Sequence, residues 1–321
     1  MCLDRNNDGS FELFVFKRNA PFQYLEFISN KLIDISKQIG IEGFGNAQSA
    51  IVIPNDKGIP SILVGLEGGT NLFYKGSALG IFSNFTKSSG LADPLNDARG
   101  ISLIDFNQDG YIDIIYGNYN GPTKLFTQGP NSIFTEVKSS LLNQSYYVNS
   151  LSVLDLNLDG FEDLYLNNRV GRNYALINKG SLWEDFPLNI GLEKNRAGTS
   201  TLVGDIIFDG ANELLIAHGH GEVSKPSLYT TTTHKKWVSI IVKNSKGSLA
   251  RNALVYLTTN SRKMLRVISD GSSPYSSRVP LAHFGLNKEE KIISLRIIYN
   301  NKEVVIRKEN ILINKKNSYS I

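Results

Sequence analysis

Ile101 and Leu103 alternate with smaller or polar neighbours, and Ile114, Ile115 and Tyr116 form a second apolar run a few residues later. Read as period-two segments bounded by turn residues, this part of the chain predicts strands near 101–104, 112–117, 123–127 and 132–138. The polar stretch joining the first two is Asp105-Phe106-Asn107-Gln108-Asp109-Gly110-Tyr111-Ile112-Asp113. Oxygen-bearing side chains occupy its positions 1, 3, 5 and 9, and glycine stands at position 6, where a sharp turn can use a left-handed backbone.

The stretch recurs. Asp155-Leu156-Asn157-Leu158-Asp159-Gly160-Phe161-Glu162-Asp163 lies 50 residues on, and Asp205-Ile206-Ile207-Phe208-Asp209-Gly210-Ala211-Asn212-Glu213 another 50, with Ile207 replacing the position-3 oxygen. Asp4-Arg5-Asn6-Asn7-Asp8-Gly9-Ser10-Phe11-Glu12 stands two periods before Asp105, and the copy due near residue 54 reads Pro54-Asn55-Asp56-Lys57-Gly58, with most of the oxygens gone. A second marker, Ile39-Gly40-Ile41, Ser89-Gly90-Leu91 and Ile190-Gly191-Leu192, keeps the same beat. A fixed period of this length indicates radial or solenoid repetition, and about 50 residues hold the four short strands of one propeller blade.

Three carboxylates within nine residues repel one another unless a cation sits among them. Oxygen-only donors are the set a hard ion such as Ca²⁺ takes, completed by a carbonyl and water to ~6–8 ligands. The first six residues match an EF-hand loop, but the closing acid comes at position 9 rather than 12, and the flanks are strands. A nine-residue acidic loop between two strands, once per blade, resembles the FG-GAP or VCBS repeat of integrin-α-like β-propellers. The resemblance implies Ca²⁺ bound through positions 1, 3, 5 and 9 and the carbonyl of position 7. It assigns one site to Asp105, Asn107, Asp109, Tyr111 and Asp113, and a second to Asp155, Asn157, Asp159, Phe161 and Asp163. A third comprises Asp4, Asn6, Asp8, Ser10 and Glu12. The copy with Asp205, Asp209 and Glu213 lacks an oxygen at Ile207, so metal there stays open.

The chain has 321 residues, enough for two domains, and its 41 % hydrophobic content is that of an ordinary globular protein. No apolar run approaches the ~20 residues of a membrane helix. Cys2 is the single cysteine, so an intrachain disulfide is excluded and thiol chemistry has little support. Charge divides the chain: residues 1–234 hold 17 Lys and Arg against 25 Asp and Glu, whereas residues 235–321 hold 17 against 5. A swing from −8 to +12 marks two regions with different surfaces.

The second region has its own pattern. Strands are expected around Trp237–Val242, Ala253–Leu257, Met264–Ile268, Ile292–Tyr299 and Glu303–Ile306, the spacing of a small β-sandwich or barrel. Lys236-Trp237-Val238-Ser239-Ile240, Leu281-Ala282-His283-Phe284-Gly285-Leu286 and the late strand–turn–strand resemble an ASPIC/UnbV domain. The turn itself departs from that pattern, reading Ile298-Tyr299-Asn300-Asn301. The order of propeller then this domain resembles the cartilage acidic protein family. The expected architecture is therefore all-β: a propeller over residues 1–230, with about five visible four-stranded blades of a set that is often seven, and a small β-sandwich over 235–321. With only about three residues before the first loop, the expectation is that the natural repeat set extends further N-terminal, the alternative being that a C-terminal strand fills the gap.

His218 and His220 could ligate a transition metal from a strand end, although structural histidines are the simpler expectation. No Gly-x-Ser-x-Gly, His-Glu-x-x-His or phosphate-loop pattern occurs. The expected function is non-enzymatic: a Ca²⁺-stabilised extracellular or cell-surface binding or adhesion protein with a protein or anionic glycan ligand. Extracellular modules bind Ca²⁺ in the ~10⁻⁴–10⁻³ M range and so fill outside the cell. Nucleic acid is not the expected partner, since lysine dominates the basic region without interleaved aromatics. The alternative is a propeller hydrolase or lyase acting on polysaccharide.

Overall fold

The computed structural model describes residues 1–186, 198–219, 225–230, 235–269, 271 and 275–321. The marker Ile190-Gly191-Leu192, His220 and the threonine run at 231–233 lie outside them.

Five antiparallel meanders follow one another. The first comprises Cys2–Leu3, Glu12–Val15, Gln23–Ile28 and Lys31–Asp34, and the second Phe44–Ile53, Ser61–Glu67, Leu72–Gly76 and Phe82–Asn84. The third, at Asp97–Ile104, Asp113–Pro122, Lys124–Gly129 and Ile133–Val137, occupies the expected positions, its first three strands longer than expected and its fourth shorter. The fourth is Ser145–Leu154, Asp163–Asn168, Tyr174–Asn178 and Trp183–Asp185. The fifth adds Gly198–Gly204, Glu213–His218 and Ser227–Tyr229. It gains a strand from far along the chain, Ser276–Arg278, which pairs in parallel with Gly198–Gly204.

These sheets are propeller blades, and from the second to the fifth their first strands lie side by side. Apolar side chains from each strand's two faces fill the gaps between neighbours, which a two-residue side-chain period allows. Leu3, Phe14 and Tyr24 meet Ile62, Val64 and Tyr74 between the first two blades. Ile104, Ile115 and Leu125 meet Val148, Leu164 and Trp183 between the third and fourth. Leu154, Tyr165 and Ile177 meet Val203, Leu214 and Ile216 between the fourth and fifth. Among the described residues no such cluster joins the fifth blade to the first.

The basic region folds as a β-sandwich. Lys236–Lys243 lies between Ala282–Leu286 and Lys316–Ser320 in one sheet, and the other runs Lys263–Val267, Leu254–Thr259, Ile292–Tyr299, Lys302–Arg307. Val238, Ile240, Phe284, Val255, Leu257 and Leu295 pack between them. Leu254, Tyr256, Leu265, Val267 and Ile298 instead turn outward into the core of the second and third blades, beside Ile53, Leu103 and Ile112. The sandwich is therefore seated on the propeller by a shared apolar core, on the side where the acidic loops emerge.

Candidate functional site

Each acidic loop links the first and second strands of its blade, and position 9 is the first residue of the second strand. The register shows it: Leu3 pairs with Glu12, Ile104 with Asp113, Leu154 with Asp163 and Gly204 with Glu213. The predicted turn glycines are left-handed, with φ of 84°, 82°, 90° and 94° at Gly9, Gly110, Gly160 and Gly210. Position 4 is left-handed as well, at Asn7, Gln108, Leu158 and Phe208, a strained choice for Leu and Phe that the pattern of oxygens did not reveal.

The hydrogen bonds repeat with the sequence. The glycine N–H donates to the position-1 carboxylate: Gly9 to Asp4 at 2.9 Å, Gly110 to Asp105 at 3.4 Å, Gly160 to Asp155 at 2.9 Å and Gly210 to Asp205 at 3.1 Å. Position 7 donates its N–H to position 5: Ser10 to Asp8, Tyr111 to Asp109, Phe161 to Asp159 and Ala211 to Asp209. Position 2 donates to position 9: Arg5 to Glu12, Phe106 to Asp113, Leu156 to Asp163 and Ile206 to Glu213. Where position 3 is asparagine, its amide donates to position 5, as Asn6 to Asp8, Asn107 to Asp109 and Asn157 to Asp159. In the second blade, Asn55 Oδ1 instead accepts from the N–H groups of Lys57 and Ile59, closing the turn without acids.

Four loops thus share one hydrogen-bond pattern, but among the described residues a close carboxylate trio forms in just one of them, and it is not one of the three to which the sequence assigned Ca²⁺. At Asp205, Asp209 and Glu213 a carboxylate oxygen from each lies within 4.8 Å of the others, the one such trio among the described residues. This is the loop lacking the position-3 oxygen, and Lys316 Nζ already sits 2.8 Å from Asp205. In the third and fourth blades, backbone N–H groups hold both oxygens of the position-9 aspartate: Phe106 and Gln128 at Asp113, Leu156 and Asn178 at Asp163.

Two observations test the fit of a cation. Asn6 Oδ1 and Glu12 Oε1 in the first loop, and Glu213 Oε1 in the fifth, are buried with no hydrogen-bond partner, a costly state that a bound cation would relieve. The second is electrostatic. Burial pushes the Asp105 and Asp113 carboxyls up to about 7, and burial together with Asp155 raises Asp163 far above the carboxylate range. Buried oxygens that resist ionisation singly are stabilised as anions by a divalent ion. All these donors are oxygens, the set a hard cation takes; the residues that would hold one are Asp4, Asn6, Asp8 and Glu12, Asp105, Asn107, Asp109 and Asp113, and Asp155, Asn157, Asp159 and Asp163.

The sandwich shares in this face, which no sequence pattern marks. Asp4 Oδ2 accepts from Asn300 Nδ2 at 3.1 Å, Asp105 Oδ2 from Leu265 N at 3.0 Å and Asp155 Oδ2 from Gly285 N at 3.1 Å. Arg262 donates to Asp159 O at 2.6 Å, Arg266 to Gly160 O at 2.9 Å, and His283 Nε2 bonds Gly210 O at 2.8 Å. Glu162 lies between Arg266 at 3.4 Å and Arg278 at 3.9 Å, and accepts from Asp105 N at 3.4 Å. Burial lowers the His283 imidazole to about 4, against a weaker upward pull from its Gly210 bond. His218 is buried on Ser227 Oγ at 2.6 Å, a structural role, and its supposed partner His220 is outside the described residues.

Comparison with known proteins agrees with this geometry. An FG-GAP-like repeat model matches residues 105–166, two loops and the blade between them, and an ASPIC and UnbV model matches residues 243–316. Human cartilage acidic protein 1 is 26 % identical over 318 residues, covering 90 % of this chain and 48 % of that protein. The protein of the same name from Xenopus tropicalis is 27 % identical over 321 residues, covering 90 % and 49 %. The chain spans about half the length of these relatives. A crystal structure of BBS1N in complex with ARL6DN, soaked with lead, aligns at a TM-score of 0.44 and 10 % identity, covering 96 % of this chain and 91 % of that one. The protein is an all-β chain similar to an FG-GAP-like repeat over residues 105–166, to ASPIC and UnbV over residues 243–316, and to cartilage acidic protein 1 over 90 % of its length.

Proposed function

We propose that this is a non-enzymatic binding protein of the extracellular space or cell surface, stabilised by Ca²⁺ in the loops at Asp4, Asp105 and Asp155. The observation that carries the reading is the repeated loop itself. One set of hydrogen bonds recurs in four blades, with oxygens gathered that are buried and unpartnered or costly to ionise. The ion closes a strand-connecting turn and fastens the blade, and its contribution grows by mass action with free Ca²⁺. Millimolar Ca²⁺ outside cells suits such sites. The relatives' name places them in cartilage, a tissue rich in extracellular matrix. The ligand class is a protein or an anionic glycan.

Thermal denaturation of the whole chain tests the reading. The melting temperature rises as Ca²⁺ is brought to millimolar levels and falls when a chelator is added. A melting temperature indifferent to both overturns the calcium role.

A further inference from the structure

The C-terminal sandwich meets each of the four acidic loops at the same residue, the position-1 aspartate. Three position-1 carboxylates each have one oxygen held from above: Asp4 by Asn300 Nδ2, Asp105 by Leu265 N and Asp155 by Gly285 N. The fourth, Asp205, takes the Lys316 ammonium at 2.8 Å. These partners come from four different elements of the sandwich, yet they fall on a 50-residue repeat of the propeller. The fit at Gly285 is close: a Cβ there would stand 2.5 Å from Asp155 Oδ2 and from the Leu158 carbonyl carbon. Asn300 is left-handed, with φ 47°, which aims a hairpin turn at a loop 296 residues away.

Metal-binding carboxylates depend on outer partners that fix their orientation, and losing such a partner costs roughly 10–100-fold in affinity. We propose that the C-terminal sandwich supplies these outer partners, so that Asn300, Leu265 and Gly285 position Asp4, Asp105 and Asp155 for Ca²⁺. Occupancy of the loops and seating of the sandwich are then linked, each favouring the other by the same factor. The inference rests on the calcium reading above and adds a role to residues outside the loops.

Asn300→Gly is the cleanest probe, because glycine keeps the left-handed backbone and removes only the amide donor. Asn301→Gly, also left-handed at φ 59°, is the control. Calorimetric titration of the full chain with CaCl₂ should show Asn300→Gly weakening one site roughly tenfold and leaving the others as in wild type. Asn301→Gly should match wild type. Hydrogen exchange supplies a readout free of substitution: chelation should speed exchange at the Leu265 and Gly285 amides while Leu295 and Ile297, inside the sandwich, keep their protection. Calcium uptake with unchanged protection at Leu265 and Gly285, or with all affinities intact in Asn300→Gly, overturns the proposal and leaves the calcium reading standing. No calcium uptake by the wild-type chain overturns both.

Discussion

Single residues hold the loop face together through groups that have no escape to water. Glu162 and Arg266 are both nearly fully buried and sit 3.4 Å apart, and Arg266 also donates to Gly160 O and His283 O. Breaking a buried pair on one side leaves an uncompensated charge, so Arg266→Met should cost about 3–5 kcal/mol in chemical denaturation. Replacing Glu162 at the same time should recover part of that loss. His283 provides a pH signature. Its folded imidazole titrates near 4 because burial disfavours the charged form, against an ordinary value of 6.5. The unfolded chain therefore binds the extra proton between those values, and the stability this histidine contributes is present above pH 6.5 and lost as pH falls toward 4. A full shift of that size corresponds to roughly 3 kcal/mol. The stability difference between wild type and His283→Gln should accordingly move in favour of the variant on acidification through this window. A pH-independent difference would show that His283 is not held neutral.

At the scale of elements, the nine-residue turn was legible because its chemistry is local. Oxygen spacing, the glycine at position 6 and flanking apolar alternation all lie within a dozen residues, and the third blade's strands fall where that pattern put them. The left-handed position 4 was not legible, since Asn7, Gln108, Leu158 and Phe208 share no residue type. The strands Ser276–Arg278 and Lys316–Ser320 were missed for a different reason: they are polar and owe their pairing to distant neighbours, Gly198–Gly204 and Lys236–Lys243. Context also ranks the turn glycines. Alanine at Gly110 would meet nothing nearer than 3.6 Å and carries only the left-handed penalty, about 1–2 kcal/mol. Alanine at Gly160 would also meet the Gly285 carbonyl oxygen at 2.8 Å and the Arg262 guanidinium at 2.3 Å. Denaturant titration should find Gly160→Ala the more destabilised of the two. Equal losses would place the cost in backbone strain alone.

Across the whole molecule, the division of charge acquires a structural meaning. The excess of acids in residues 1–234 and of bases in 235–321 reads in the sequence as two different surfaces. In the folded chain part of that imbalance is internal: Arg262, Arg266, Arg278 and Lys316 face the loops or their acids. The segment Ala282–Leu286, noticed in the sequence as a family resemblance, carries two of the contacts, His283 on Gly210 and Gly285 on Asp155. Seating of the sandwich was invisible in sequence because it joins residues 73 or more positions apart, several through backbone groups that no residue type announces. Salt should weaken the exposed Lys316–Asp205 contact more than the buried Glu162–Arg266 pair.

The most direct measurement is a calorimetric titration of the intact chain with Ca²⁺, repeated for Asp109→Ala and Asp159→Ala. The account predicts saturable uptake by the wild type and the loss of one ion in each variant, with the remaining sites intact. No uptake by the wild type, or an unchanged number of ions in both variants, would contradict it.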